Sequence, residues 1–167
     1  MDHPRRRPDS LIRQAFTLVE VLVVVVILGI AAAMLVPRLT GMGDLQAMSA
    51  ARALVANMQY AQNEAIVTQA PTTVAFDAGA GSYVLLDTAG VPLRHPVNKG
   101  DFRVRFSATR GLEKVEVISA EFGGGNSVTF DSLGSPDRGG QVVVGADGHT
   151  YTISVAPVTG KIDVAAN

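Results

Sequence analysis

The sequence places one carboxylate inside an otherwise apolar stretch. Between Phe16 and Val36 no side chain is charged except that of Glu20, the fifth residue of the stretch. An ionised side chain at the centre of a bilayer costs about 2.5–3.5 kcal/mol on insertion scales, so such charges are rare and usually functional. The chemistry that Glu20 offers is an ion pair, and its position predicts that a cationic partner exists.

The stretch predicts a transmembrane helix. A helix over residues 16–36 is about 31 Å long at 1.5 Å per residue, enough to cross a hydrocarbon core of about 30 Å. A lone segment in lipid must satisfy its own backbone hydrogen bonds, which requires a helix. Basic residues are concentrated before it, at Arg5, Arg6, Arg7 and Arg13. This excess predicts a cytoplasmic N-terminus, with the rest of the chain outside the cytoplasm.

The residues alone leave three interpretations of this segment open. A secretory signal peptide would be cleaved near Ala31–Ala33, but its apolar core is usually only about 7–15 residues long. Glu20 also lies where such a core should be uninterrupted. A plain membrane anchor gives no reason for the carboxylate. A specialised membrane anchor, in which the Glu20 carboxylate has a function, is the third interpretation.

The segment 16–20, Phe-Thr-Leu-Val-Glu, resembles the N-terminal signal of type IV pilins and type II secretion pseudopilins. The resemblance implies that a prepilin peptidase cleaves between Ala15 and Phe16 and that Phe16 is then N-methylated. Ala15 departs from the family pattern, which usually has glycine before the cleaved bond. Pro37 lies where these helices often contain a proline, and it predicts a helix kink.

The resemblance also provides a partner for Glu20. Cleavage creates a charged amine at Phe16, which a subunit entering a filament could place against the Glu20 carboxylate of its neighbour. In a low dielectric a paired charge is penalised much less than an unpaired one, so the pair would favour the correct axial register. Glu20 is therefore the predicted assembly residue.

The 167 residues suit one soluble domain and an anchor. The predicted parts are a cytoplasmic leader (1–15, removed), a transmembrane helix (16–37), an amphipathic helix (38–70) and a periplasmic β head (71–167). Apolar residues recur at helical spacing in the third part. They are Leu39, Met42, Leu45, Met48, Val55, Met58 and Ala61.

Short β-rich runs alternate with glycine-rich turns in the predicted head. Seven or eight strands are expected, and the first two form a hairpin across Ala78–Gly81. The predicted runs are 72–77, 83–87, 102–106, 114–119, 127–131, 141–144, 149–155 and 161–164.

The head has a resemblance of its own. Residues 51–77 resemble the segment leading into the first strand of pseudopilin H and related minor pilins. Phe130–Gly134 and Thr159–Ile162 are similar to a turn and a terminal-strand motif of that group. The implied fold class is α+β and pilin-like. Its long N-terminal helix, half transmembrane and half amphipathic, packs on a C-terminal antiparallel β head of two small sheets.

The implied function is that of a minor pseudopilin in a type II secretion filament. Its expected partners are prepilin peptidase, the inner membrane, and other pilins or pseudopilins bound through the N-terminal helix. The alternatives are a minor type IV pilin, acting in pilus assembly or DNA uptake, and a secreted β-domain with an ordinary signal peptide.

Catalysis, cofactors and metals are not expected. With no cysteine, the chain can form neither a disulfide nor a thiolate site. His95 and His149 are isolated, and Gly123–Gly125 lacks the Lys-Ser/Thr of a phosphate loop. Asp131 and Asp137 flank a turn that could bind calcium, but their spacing fits no EF-hand, so this is the weaker interpretation.

Nucleic acid is not an expected partner either. The formal net charge is −1, and DNA binding needs clustered lysine and arginine. Lys161 on the terminal strand is followed by Asp163. The nearest approach to a basic patch is Arg103, Arg105 and Arg110, which Asp101, Glu113 and Glu116 interrupt. A solvated strand face is the favoured interpretation of that patch.

Overall fold

The computed structural model describes residues 17–40 and 42–167, without the side chains of 34–40. The chain divides into two units between Thr40 and Gly41. The first contains helix α1 (Leu18–Thr40), and the second contains helix α2 (Met42–Thr68) and every strand. The predicted leader, residues 1–15, lies outside the described residues.

Helix α2 packs through a face of small residues. Its buried positions recur every three or four residues and are Gly43, Ala47, Ala50, Ala51, Leu54, Met58, Ala61 and Ala65. A Cβ added to Gly43 would lie 2.6 Å from the Cβ of Asp147, so helix and sheet approach closely here. The predicted apolar stripe was therefore wrong at Met42 and Leu45, which are 49% and 64% exposed. Close packing selects alanine and glycine rather than large side chains.

Helix α2 ends in a backbone hydrogen-bond motif. Gln69 adopts a left-handed conformation with φ of 54°, and the N–H of Ala70 donates to the carbonyl of Ala65 at 3.2 Å. This is the hydrogen bond of a Schellman motif, which terminates helices. Pro71 follows and directs the chain into the first strand.

The strands form two four-stranded antiparallel sheets. One has the order β3-β2-β1-β5 and the other the order β4-β6-β7-β8. Helix α2 packs against strands of both sheets, so the predicted α+β class with a two-sheet antiparallel head is confirmed. The strands are β1 Thr72–Asp77, β2 Ser82–Leu86, β3 Arg103–Arg105, β4 Glu116–Glu121, β5 Ser127–Phe130, β6 Gly140–Ala146, β7 His149–Val155 and β8 Ile162–Ala166.

Six of the eight strands differ from their predicted bounds, and in two of these six a turn replaces a predicted strand end. The run 102–106 was predicted as one strand, but Phe106 opens a 3₁₀ turn, Phe106–Ala108. The run 114–119 was predicted to start at Lys114, but Val115 donates to the Leu112 carbonyl at 3.0 Å in a turn. Strand β4 therefore begins at Glu116.

An aromatic cluster joins the two sheets in the core. Phe76 of β1 stacks on Phe122, which follows β4, with ring centroids 5.6 Å apart. Tyr83 of β2 contacts Phe76 at 6.0 Å and Phe106 at 5.8 Å. The Tyr83 hydroxyl is buried, and its Oη accepts a hydrogen bond from Asn57 Nδ2 of α2 at 2.6 Å. Burial raises the pKa of Tyr83 to about 12.

The Tyr83 phenol predicts a loss of stability at high pH. Its folded-state pKa is above the ordinary tyrosine value of 10.0, so stabilisation is complete below about pH 10 and is lost as the pH rises towards about 12. The free energy of unfolding, measured by urea denaturation from about pH 9 to 12, should fall across this window. Tyr83→Phe should flatten much of the fall. An unchanged slope in Tyr83→Phe would contradict the prediction.

Candidate functional site

Helix α1 begins at a polar cap that includes Glu20. Thr17 precedes the helix, and its Oγ1 accepts a hydrogen bond from the Glu20 N–H at 3.2 Å. The Thr17 carbonyl accepts the first intrahelical hydrogen bond, from Val21 N, also at 3.2 Å. Thr-x-x-Glu is the spacing of a capping box. The sequence reasoning missed this role of Glu20, although the spacing alone could have indicated it.

The position of Glu20 in the first turn also suits its charge. The N-terminus of a helix carries a partial positive charge, so a carboxylate there is stabilising. The Glu20 side chain is exposed and therefore remains accessible to a cation outside this chain. The cap and the predicted ion pair can use the same residue, since the cap uses its backbone N–H.

The surface of α1 is apolar on every side. The large aliphatic side chains from Leu18 to Ile30 are 48–82% exposed, and they occupy nearly every position over more than three helical turns. An exposed apolar surface of this extent marks a contact with lipid or with other proteins. Within residues 17–40 and 42–167, none of the helices combines the length and the hydropathy needed to cross a membrane.

The predicted processing residues lie outside this description. Ala15 and Phe16 are beyond the described residues, so cleavage between them and methylation of Phe16 stay predictions. Pro37 lies within the bounds of α1, and the kink assigned to it also stays a prediction. Of the four predicted site residues, only Glu20 has a described side-chain environment.

Two motifs of the head meet at α2 through Gln62. Its Nε2 donates to the carbonyl of Gly134 at 2.7 Å and lies 3.5 Å from that of Gly160. Both glycines have positive φ, 80° and 63°, and a Cβ on Gly160 would lie 2.6 Å from Gln62 Nε2. The turns that contain the motif segments 130–134 and 159–162 are thus both bound to helix α2 through Gln62.

The two aspartates that flank the turn after β5 accept hydrogen bonds from backbone N–H groups. Asp131 Oδ1 accepts from the N–H groups of Leu133 and Ser135, each at 2.9 Å. Asp137 Oδ1 accepts from Thr129 N at 2.9 Å. No group of three or more His, Cys, Asp or Glu side chains in the described part of the chain could hold a metal ion. These contacts favour a structural role over calcium binding.

Three further polar side chains of the head make hydrogen bonds or ion pairs within the chain. His95 Nδ1 accepts from Val97 N at 3.1 Å, which makes it a turn residue. Tyr151 Oη donates to Asp44 Oδ1 at 2.9 Å, and this hydrogen bond raises the pKa of Tyr151. The cation of the terminal strand segment is paired, with Lys161 Nζ 3.0 Å from an oxygen of Asp163.

The fold and the N-terminal segment together define a pilin-like subunit. Residues 12–36 match the model of the prokaryotic N-terminal methylation motif. Residues 50–159, more than half of the chain, match the model of the type II transport protein GspH. The chain therefore belongs to the GspH family, and the resemblance to pseudopilin H and prepilin-type signals is confirmed.

Solved structures with the same fold include a minor pseudopilin and a type IV minor pilin. The minor pseudopilin EpsH from the type 2 secretion system of Vibrio cholerae is 14% identical, with a TM-score of 0.54 covering 72% of this chain and 97% of that one. The type IV minor pilin FimU of Pseudomonas aeruginosa is 18% identical, with a TM-score of 0.54 covering 74% and 94%. At these identities the likeness establishes the fold. A comparison with curated proteins found no significant match.

The Gln62 contact predicts a stability difference between two glutamines of α2. Gln62→Ala removes a half-buried hydrogen bond to a turn carbonyl and should lower the free energy of unfolding by about 1–2 kcal/mol. The control is Gln59→Ala, which changes an exposed residue of the same helix and should shift stability by less than about 0.5 kcal/mol. Equal losses in the two variants, measured by urea denaturation, would show that the contact contributes nothing.

Proposed function

We propose that this protein is a minor pseudopilin subunit of a type II secretion filament. It is inserted in the bacterial inner membrane with its N-terminus in the cytoplasm and its head in the periplasm. Prepilin peptidase cleaves it between Ala15 and Phe16, and Phe16 is N-methylated. The mature chain then assembles into a periplasmic filament through its N-terminal helix, so its role is assembly rather than catalysis.

The proposal rests on two features that occur together in helix α1, an exposed apolar surface and an acidic residue in the first turn. Its aliphatic side chains are exposed from Leu18 to Ile30, and Glu20 is its acidic first-turn residue. Such a surface is stable only when lipid or neighbouring helices cover it. A filament provides helices for the apolar surface and a new amine for the carboxylate. Membership of the GspH family supports the secretion system as the destination.

The type IV pilus is the second candidate destination. The fold matches the minor pilin FimU as well as it matches EpsH, with equal TM-scores. A minor pilin would use the same N-terminal signal and the same α1 surface. Deletion of the gene distinguishes the two, since loss of protein secretion with pili retained supports the proposal and loss of pili alone supports the alternative.

The processing step is tested by the N-terminus of the mature protein. Mass spectrometry of the protein purified from its membrane should give a chain that starts at methylated Phe16. A start near Met34 would replace the filament assignment with a secreted domain cleaved by ordinary signal peptidase. An intact Met1 would leave a plain anchor. A protein from cells lacking prepilin peptidase serves as the control and should retain residues 1–15.

A further inference from the structure

Strand β3 is an edge of its sheet and has a free side. On its paired side, Phe102 O accepts from Leu85 N at 3.0 Å and Phe106 N donates to Gly81 O at 3.1 Å. Backbone groups alternate in direction along an antiparallel strand, so Val104 also faces β2. The backbone groups of Arg103 and Arg105 consequently face away from β2, towards the free edge.

Two of these four edge groups are already bonded within the chain. Arg103 N donates to Asp101 O at 2.8 Å, and Arg105 O accepts from Thr109 Oγ1 at 2.9 Å. Among residues 17–40 and 42–167, the Arg103 carbonyl and the Arg105 N–H take part in no turn or loop hydrogen bond, and β3 pairs only with β2, on its other side. One acceptor and one donor, placed on either side of Val104, are what an added strand needs to form one ladder step.

A groove of about 590 Å³ runs along this edge. Helix α2 forms one wall at Ala53 and Asn57, and the turn after β3 contributes Thr109 and Leu112. Arg103 and Arg105 border the groove, and their exposed side chains lie on the face of the sheet opposite to that of Val104, which pairs with the buried Tyr83. Because they are two residues apart on a strand, they lie on the same face.

The charge of the groove is positive and uncompensated. None of its lining residues is Asp or Glu, and neither arginine takes part in an ion pair within the described residues. Asp101 and Glu113 are nearby in sequence but do not line the groove, and the Glu113 carboxylate accepts from Gly111 N at 2.9 Å. The groove therefore complements an anionic occupant.

We propose that the groove binds an extended acidic segment of a partner protein, which adds as a strand to the free edge of β3. Carboxylates two residues apart in that segment face Arg103 and Arg105, as oppositely charged cross-strand pairs do. The unbonded backbone donor and acceptor favour a polypeptide over a nucleic acid, and two arginines neutralise few phosphates. This site is independent of the α1 surface and of the proposed function.

The test uses the full chain in detergent micelles and a fluorescein-labelled peptide, Thr-Glu-Val-Glu-Val-Glu-Thr. Fluorescence anisotropy should show saturable binding. The double change Arg103→Gln with Arg105→Gln should weaken it by about tenfold, within the range for losing two charge pairs at a partly exposed site. Arg110→Gln removes an exposed charge that does not line the groove and should leave binding within about twofold of wild type.

Changes in the peptide test the site without any change in the protein. Replacing the glutamates by glutamine should remove the charge contribution, and N-methylation of the central backbone amides should abolish strand addition. Absence of binding to the wild-type protein, or an equal loss in Arg110→Gln, would overturn the proposal. So would unaltered binding of the N-methylated peptide, or a DNA duplex that binds through Arg103 and Arg105 when the peptide does not.

Discussion

Helix α1 is poorly solvated in water. Its aliphatic side chains from Leu18 to Ile30 are exposed around the whole circumference of the helix. Burying apolar surface is worth roughly 25 cal/mol per Å², so a covered α1 is far more stable than a bare one. Whatever covers this helix also surrounds Glu20, and an apolar surrounding penalises a carboxylate that has no partner. Apolar surroundings therefore favour pairing of the Glu20 carboxylate with a cation.

The capping geometry gives Glu20 a place in the helix that does not depend on that cation. Its backbone N–H is held by Thr17 Oγ1, and its exposed carboxylate lies in the first helical turn. One residue therefore starts the helix and presents a charge at its end.

The head depends on close contacts made by small residues and turns. Alanines on α2 let the helix approach both sheets, and Gln62 fastens the turns at Gly134 and Gly160. The motif segments that carry the family resemblance are among these contacts. Their part in the structure is to hold the turns after β5 and β7 on the helix.

The sequence predicted the strands and the helix well because their signals are local. Alternation and glycine-rich turns located eight strands to within a few residues. The buried face of α2 was mispredicted at Met42 and Leu45, because periodicity favours large apolar residues whereas the tight helix–sheet contact admits small ones. The Gln62–Gly134 contact joins residues 72 positions apart, so no local pattern contains it. The groove depends on which strand lies at the edge, and that follows only from the topology.

The charge of Glu20 can be separated from its capping role by one substitution. Glutamine is accepted at the third position of a capping box, so Glu20→Gln keeps the helix start and removes the charge. The decisive measurement is the fraction of subunits recovered in chemically cross-linked filaments from the cell envelope, with Glu121→Gln as an exposed-carboxylate control. Glu20→Gln should be cleaved normally but incorporated at least about tenfold less than wild type, since one buried charge is left unpaired. Incorporation at the wild-type level would contradict a role for the Glu20 charge in assembly.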